Sequence, residues 1–338
     1  MSNTTDGTKA KESTRNRPTV KHPSSQTEIE SLGHEQPYEG QERNPDAPAD
    51  IHEIKPRKRK SQWLEVWQRL IKNKAAIVGG ILLLILVFSA IFADFIAPYA
   101  YDFQNPQFTR QAPSSDFWFG TDHLGRDVFS RVVYGSRISI QVGFIAVGIA
   151  MISGGILGSI SGYYSGRIDN VIMRLMDVLL AIPGILLAIS IAAALGPGLV
   201  NIMIAVGISS IPRYARIVRA SVLSLRDQEF VEAAKAVGAN DFRIITKYII
   251  PNAMAPIIVQ STLGVAEAIL SAAGLSFIGL GIQPPIPEWG AMLSQARTYL
   301  RDSPHMSIFP GLAIMFTIFA LNLLGDGLRD ALDPRLKG

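Results

Sequence analysis

The 338-residue chain contains no cysteine. That absence excludes disulfides, thiolate-ligated zinc, iron–sulfur clusters and thiol nucleophiles. Charge is the next scarcity. Residues 1–60 hold 11 Lys+Arg and 10 Asp+Glu, which leaves 21 basic and 18 acidic residues for the other 278. Those few charges are bunched, whereas a soluble domain needs charge spread over its surface, so the pattern argues against a conventional soluble enzyme. No G-x-x-x-x-G-K-[ST] phosphate loop, no H-E-x-x-H and no G-x-S-x-G occurs. No catalytic residue, cofactor or metal site is therefore expected. The net charge of +4 reflects basic residues beside apolar runs rather than one basic face, so nucleic acid is not an expected partner.

What the chain has in abundance is long apolar sequence. Residues 75–93, 138–166 and 178–212 carry no charge at all. About 20 residues at 1.5 Å each cross a hydrocarbon core roughly 30 Å thick. The run 178–212 would be about 52 Å long as one helix, too long for one crossing, and Leu195-Gly-Pro-Gly-Leu199 breaks it. The expectation is an all-α integral membrane protein with six transmembrane helices, near 75–97, 138–161, 173–195, 199–219, 255–280 and 307–324. Arg213, Arg216 and Arg219 then fall at the end of the fourth span, where long side chains can snorkel to the interface. Asp177, near the end of the third, is expected to pair with a basic residue such as Arg174. Glu267 is the only carboxylate deep in a span. It either lines a watery path or packs at a helix interface with a hydrogen-bonding partner.

The remaining segments follow from charge and composition. Residues 1–54 are polar and lack apolar periodicity, which predicts a disordered tail and no secretory signal. Residues 55–74 combine Lys55-Pro-Arg-Lys-Arg-Lys60 with Trp63, Leu64, Val66, Trp67, Leu70 and Ile71. That spacing suits a basic amphipathic juxtamembrane helix in contact with membrane lipid. With the N-terminus inside, the segments on the cytoplasmic side from Lys55 onward carry 20 Lys+Arg and those on the other side six. This positive-inside bias places both termini in the cytoplasm of a multi-pass cell-membrane protein, an inner or plasma membrane. It makes 98–137 an extracytoplasmic loop, 138–325 a core of five spans, and 326–338 a cytoplasmic end. Small residues recur in Val142-Gly-Phe-Ile-Ala-Val-Gly148 and Ser153-Gly-Gly-Ile-Leu-Gly-Ser159, a texture that permits close helix approach in lipid.

The cytoplasmic loop 223–250 carries the most information. Asp227-Gln-Glu229 places acids in a first helical turn, Phe230, Ala234 and Val237 share a face, and Gly238 is a natural stop. Asn240 or Asp241 can cap a second helix with Phe242, Ile245 and Ile249 on one side, and Pro251 interrupts that pattern before the fifth span. A short helix-turn-helix on the membrane face is predicted.

Glu232-Ala-Ala-x3-Gly238-x9-Tyr248-x-Ile250-Pro251 resembles the EAA loop of ABC-importer permeases, with Tyr248 and Ile250 in place of that pattern's Ile and Leu. The 21 residues Phe119–Ser139, the stretch from Gly279 to Leu293 and the stretch from Asn322 to Leu336 are similar to the C-type permease subunit of dipeptide and oligopeptide importers. The resemblance covers about residues 60–338 and implies a type I ABC-importer-like permease fold. It also implies that Glu232, Ala233, Ala234, Gly238 and Pro251 belong to the contact with an ATPase. The partners it implies are a second homologous permease, two separate ABC ATPase subunits and an extracytoplasmic solute-binding protein. The cargo it implies is a dipeptide or oligopeptide, with nickel chelates or glutathione as the family's alternatives; the watery-path reading of Glu267 would bring that cargo past it. An ion-coupled secondary transporter using Glu267 or Asp177 is the competing class. Asp122, His123 and Asp127 in the outer loop suggest turns and local hydrogen bonds more than a metal or acid–base site. Gly162-Tyr-Tyr-Ser-Gly166 reads as a plain turn.

Overall fold

The computed structural model describes residues 62–333; the expected tail at 1–54, the basic run at 55–60 and residues 334–338 lie outside them. Among the described residues every regular element is a helix. The short amphipathic α1 (Gln62–Lys72) leads into α2 (Lys74–Ile91) and α3 (Ala93–Ile96). Asn73 joins the first two: its side chain caps α2 through the Ala75 and Ala76 amides and donates to Asp330 at 3.2 Å. Then come α4 (Val128–Tyr164), α5 (Gly166–Leu180), α6 (Gly184–Leu195) and α7 (Leu199–Leu225). The loop helices α8 (Glu229–Ala236) and α9 (Asp241–Arg243) precede α10 (Ile250–Phe277), α11 (Trp289–Ala296) and α12 (His305–Leu332).

Among the described residues four helical stretches are long and apolar enough to cross a membrane: α2, α4, residues 241–277 and α12. The bent pair α5–α6 makes a fifth. The third span, expected as one helix near 173–195, is corrected to a bent pair: the chain turns by 88° between α5 and α6. Pro183 explains the break, because it supplies no N–H and disfavours helical geometry at Ile182. It stands immediately before α6, and its carbonyl accepts from Leu186 and Leu187. The fourth expected span is α7, 27 residues long and about 40 Å; its arginines set it apart from the apolar five. The hairpin at Leu195–Leu199 forms as expected, with Gly196 and Gly198 both at positive φ.

The tightest seam lies between α4 and α7. Gly154, Gly158 and Gly162 recur every four residues on α4 and so line one face. A Cβ added at Gly154 would sit 2.6 Å from Tyr214 Cβ, and one at Gly162 would sit 2.8 Å from Val222 Cβ. The glycines thus let two backbones meet, which in lipid substitutes packing for a hydrophobic drive. Buried Val142, Ala146, Ala150, Met203, Val206 and Ile269 continue this core toward α10.

At one end of the bundle, the 98–127 segment packs onto α11 and α12. Asp122 accepts from the amides of Leu124 and Arg126 and from Arg126 Nε at 2.6 Å, while Arg126 donates on to Gln295 of α11 at 2.8 Å. Arg131 donates to the carbonyls of Tyr101 and Pro285. Glu288 caps α11 through the Gly290 and Ala291 amides, and Trp289 donates to the Val132 carbonyl. Asp127 caps α4 at Ser130, and burial raises its pKa. Burial also lowers that of His123, favouring its neutral form. Asp122 and Asp127 have these separate structural duties, His123 stacks on Tyr299, and no three His, Asp or Glu among the described residues are grouped to hold a metal.

Candidate functional site

The 223–250 loop folds as a helix, a stop and a second helix. Glu229 and Glu232 occupy the first turn of α8, where the helix dipole favours anions. Gly238 ends it at φ +80°, with the Gly238 amide bonded to the Lys235 carbonyl and Ala239 to Ala234. That conformation is open to glycine and strained for a β-branched residue. Asn240 then caps α9 by accepting from the Arg243 amide at 2.9 Å.

The residues expected to share one face are divided between inside and outside. On α8 the buried residues are Val231 and Ala234, while Phe230 is partly exposed and Val237 is 83% exposed. The second helix is divided likewise: Ile244 and Ile249 are buried, and Phe242 is 77% exposed. The cause is a π-helical segment at Ile244–Ile249, whose five-residue hydrogen-bond step brings residues 244 and 249 to one face. Pro251 does not interrupt the helix as expected. It lies in the first turn of α10, and residues 241–277 run on as one helical stretch. Proline is tolerated in the first turn of an α-helix, where its missing N–H would have had no partner within that helix.

Of the residues matching the EAA pattern, Glu232, Ala233 and Gly238 are exposed together on the loop, and Pro251 is also exposed. Ala234 instead packs into a core with Val218, Val222, Val231 and Ile257. The loop is anchored by Tyr163 of α4, whose hydroxyl donates to Asp241 at 2.8 Å and whose ring lies 5.8 Å from Lys235 Nζ. The Gly162–Gly166 segment therefore does more than turn the chain.

Three arginines on α7 form a second constellation. They do not simply snorkel: Arg213 pairs with Glu267 of α10, Arg216 with Asp177 of α5 at 2.5 Å, and Arg219 with Asp169 of α5. Asp177 thus takes Arg216 rather than Arg174. The third pair is closed, with two parallel bonds of 2.6 Å and Ser161 donating to the same carboxylate. The first two are open, their side chains being about half exposed: 51% and 58% for Arg213 and Glu267, 53% and 49% for Arg216 and Asp177.

Residues 154–338 match the family model for the binding-protein-dependent transport system inner membrane component, and residues 61–113 match the N-terminal TM domain of oligopeptide transport permease C. The chain belongs to that transport family. A dipeptide transport system permease protein from Alkalihalophilus pseudofirmus is 52% identical to it over 277 residues, 82% of this chain and 91% of the relative. A glutathione transport system permease protein from Pectobacterium atrosepticum is 45% identical over 290 residues, 86% of this chain and 96% of the relative. Among solved structures, an inward-facing conformation of the MetNI methionine ABC transporter aligns with TM-score 0.50 at 17% identity, over 60% of this chain and 96% of that one. The likeness is one of fold, and this chain has the ABC-importer permease architecture.

In this permease the longer match begins at Gly154, the first glycine of the α7-facing row, and takes in the charged helices, the loop and α12. Sequence reasoning missed Asp169 and Tyr163 as structural anchors. Asp169 stands eight residues from Asp177, a little over two helical turns, so both can meet α7 along one side of α5. That spacing against the arginine row was the available signal. Tyr163 carried none.

Proposed function

We propose that this permease supplies one half of the passage in an ATP-driven importer for dipeptides or oligopeptides, beside a second, similar permease. One of two separate ATPase subunits binds at Glu232, Ala233 and Gly238, with Pro251 at the root of the adjoining helix, and a solute-binding protein delivers cargo from the opposite side. The observation that carries this reading is α8. It presents Phe230, Ala233, Ala236 and Val237 outward on a helix tied to the core from behind by Val231 and Ala234. A surface helix with apolar residues on its outer side and a fixed inner side suits the groove of another protein. Both termini lie on the α8 side of the membrane, which faces the cytoplasm, a placement supported by the Lys/Arg bias. ATP hydrolysis belongs to the partner subunits. Glu267 borders the passage, and its position beside Arg213 in an open pair supports that role.

The test is Gly238→Val and Glu232→Arg in the complete importer. A Cβ at Gly238 has open space around it, so valine there adds backbone strain of about 1–2 kcal/mol and no clash. Both variants should insert at wild-type levels and lose peptide uptake; wild-type uptake by both would remove the loop from the mechanism. Glutathione is the second cargo reading, favoured by the 45% identity to a glutathione permease over nearly all of that relative. Uptake of glutathione with no uptake of any dipeptide would select it.

A further inference from the structure

The exposed face of α7 is unlike the exposed faces of the other long helices. On α2 the exposed side chains include Ile77, Ile81, Leu84, Ile85 and Phe88, and on α12 they include Ile308, Met315, Phe316 and Phe319. Such faces match lipid. Along α7 from residue 213 the exposed residues are Arg213, Arg216, Ala220 and Ser224, a stripe with no large apolar side chain. Ser209 and Ser210 extend it by one turn, half-buried, each donating to the Val206 carbonyl. Charged groups half exposed in the middle of a long helix are costly against hydrocarbon and stable against water. The stripe therefore borders an aqueous space.

On that stripe two ion pairs stand one above the other. Arg213 and Arg216 are three residues apart, about 4.5 Å along the helix axis. Each is held by a single carboxylate from a different helix, Glu267 of α10 and Asp177 of α5. The contrast with Arg219 is informative. Its doubly bonded, Ser161-supported pair with Asp169 is a closed clamp, so α5 is already fastened to α7 without Arg216. Half-exposed pairs contribute little to stability, since water competes for both charges. Two cations and two anions left half open on one wet face form a site for a ligand carrying both signs.

We infer that Arg213–Glu267 and Arg216–Asp177 form a two-level subsite for a zwitterionic cargo. The cargo carboxylate takes an arginine from one level, and its ammonium takes the carboxylate of the other. An extended dipeptide, about 7 Å from end to end, spans the two levels. Matching internal pairs replace the leaving charges, so no level is left with net charge and the cargo is not trapped. This inference rests on the importer reading and adds to it the class of cargo, one with a free amino and a free carboxyl end, and the residues Arg213, Arg216 and Asp177.

Two measurements on the complete importer test it. The chain has no native cysteine, so Ala220→Cys, Ser224→Cys and, on the α2 face, Leu84→Cys can each be probed singly. The probe is a sulfonated methanethiosulfonate reagent, applied to membranes opened on both sides. It needs a thiolate, which forms in water and not in hydrocarbon, so Ala220→Cys and Ser224→Cys should react at least ~10-fold faster than Leu84→Cys. Equal slow rates would mean that the face is covered, and would overturn the inference. The second measurement is uptake of labelled dialanine and glutathione by the double variant Arg216→Gln, Asp177→Asn, normalised to assembled importer. Neutralising both partners leaves no orphan charge, so a mere cross-link would change importer abundance and leave uptake per importer intact. The subsite predicts a loss of about tenfold or more per importer. Unchanged uptake with a reactive Ala220→Cys would overturn the subsite and leave the importer reading standing. No uptake of either probe by the wild-type importer would overturn the cargo class together with the importer's cargo assignment.

Discussion

Two glycines three residues apart on α4 make opposite predictions. A Cβ at Gly158 would lie 2.9 Å from Val218 Cβ and 3.0 Å from the Arg219 amide nitrogen, and closer still to the Ala215 carbonyl oxygen. Two of those neighbours are backbone atoms of a packed helix, which cannot swing aside. A Cβ at Gly155 meets nothing within 4 Å. Alanine in place of glycine inside a helix gains about 0.5–1 kcal/mol from backbone entropy at either position. At Gly158 that gain is set against an overpacking cost of typically 1–3 kcal/mol. Gly158→Ala should therefore be destabilising by about 1–2 kcal/mol net, and Gly155→Ala neutral or stabilising. The separation of about 2 kcal/mol corresponds to roughly 4–8 °C in apparent Tm. The assay is heating of the detergent-solubilised importer, followed by measurement of the fraction still monodisperse on size-exclusion chromatography. Gly158→Ala melting at or above Gly155→Ala would refute the claim that the two backbones are in contact there.

Two further outcomes are expected. Burial raises the pKa of Glu288 above its ordinary value of 4.5, against the two amide bonds that lower it. An acid raised in this way contributes stability that is full below the unfolded pKa and lost as pH rises through the folded one. Stability of the wild type relative to Glu288→Gln should therefore increase as the pH is lowered from neutrality toward the ordinary carboxylate range, and parallel pH profiles would count against it. For orientation, single cysteines at Ser115 and Thr298, both exposed, should react with an impermeant reagent outside intact cells, and one at Lys235 should not. Reaction at Lys235 from outside would reverse the assignment.

Much of this fold was legible because lipid imposes simple rules. Charge-free length located α2, α4, α10 and α12, and Leu195-Gly-Pro-Gly-Leu199 marked the hairpin, since two glycines around a proline cannot continue a helix. The stop at Gly238 and the cap at Asn240 were legible for the same local reasons. Three features were not. The 88° turn between α5 and α6 hid inside an apolar run, where a single proline can kink a span or end it, and hydropathy does not distinguish the two. The loop's faces were assigned with a 3.6-residue period, which a π segment does not obey, so Phe242 was grouped with Ile249 where Ile244 belongs. The arginines of α7 were read one helix at a time, as side chains reaching for the interface. Their carboxylates come from α5 and α10, and only the tertiary arrangement brings those together.

The length of α4 has a mechanical consequence. Its 37 residues, about 55 Å, exceed the thickness of a bilayer core, and no proline interrupts them. One end is set by the Asp127 cap beside the loop that packs on α11 and α12; the other end carries Tyr163, which grips Asp241 and underlies Lys235. The helix is thus a single strut joining the two faces of the protein, keyed along one side to α7 by its glycines and to α5 through Ser161 and Asp169. A force applied at the α8 end is carried the full depth of the molecule as displacement of a shaft. The 88° bend at residues 181–183, between α5 and α6, lies off this strut.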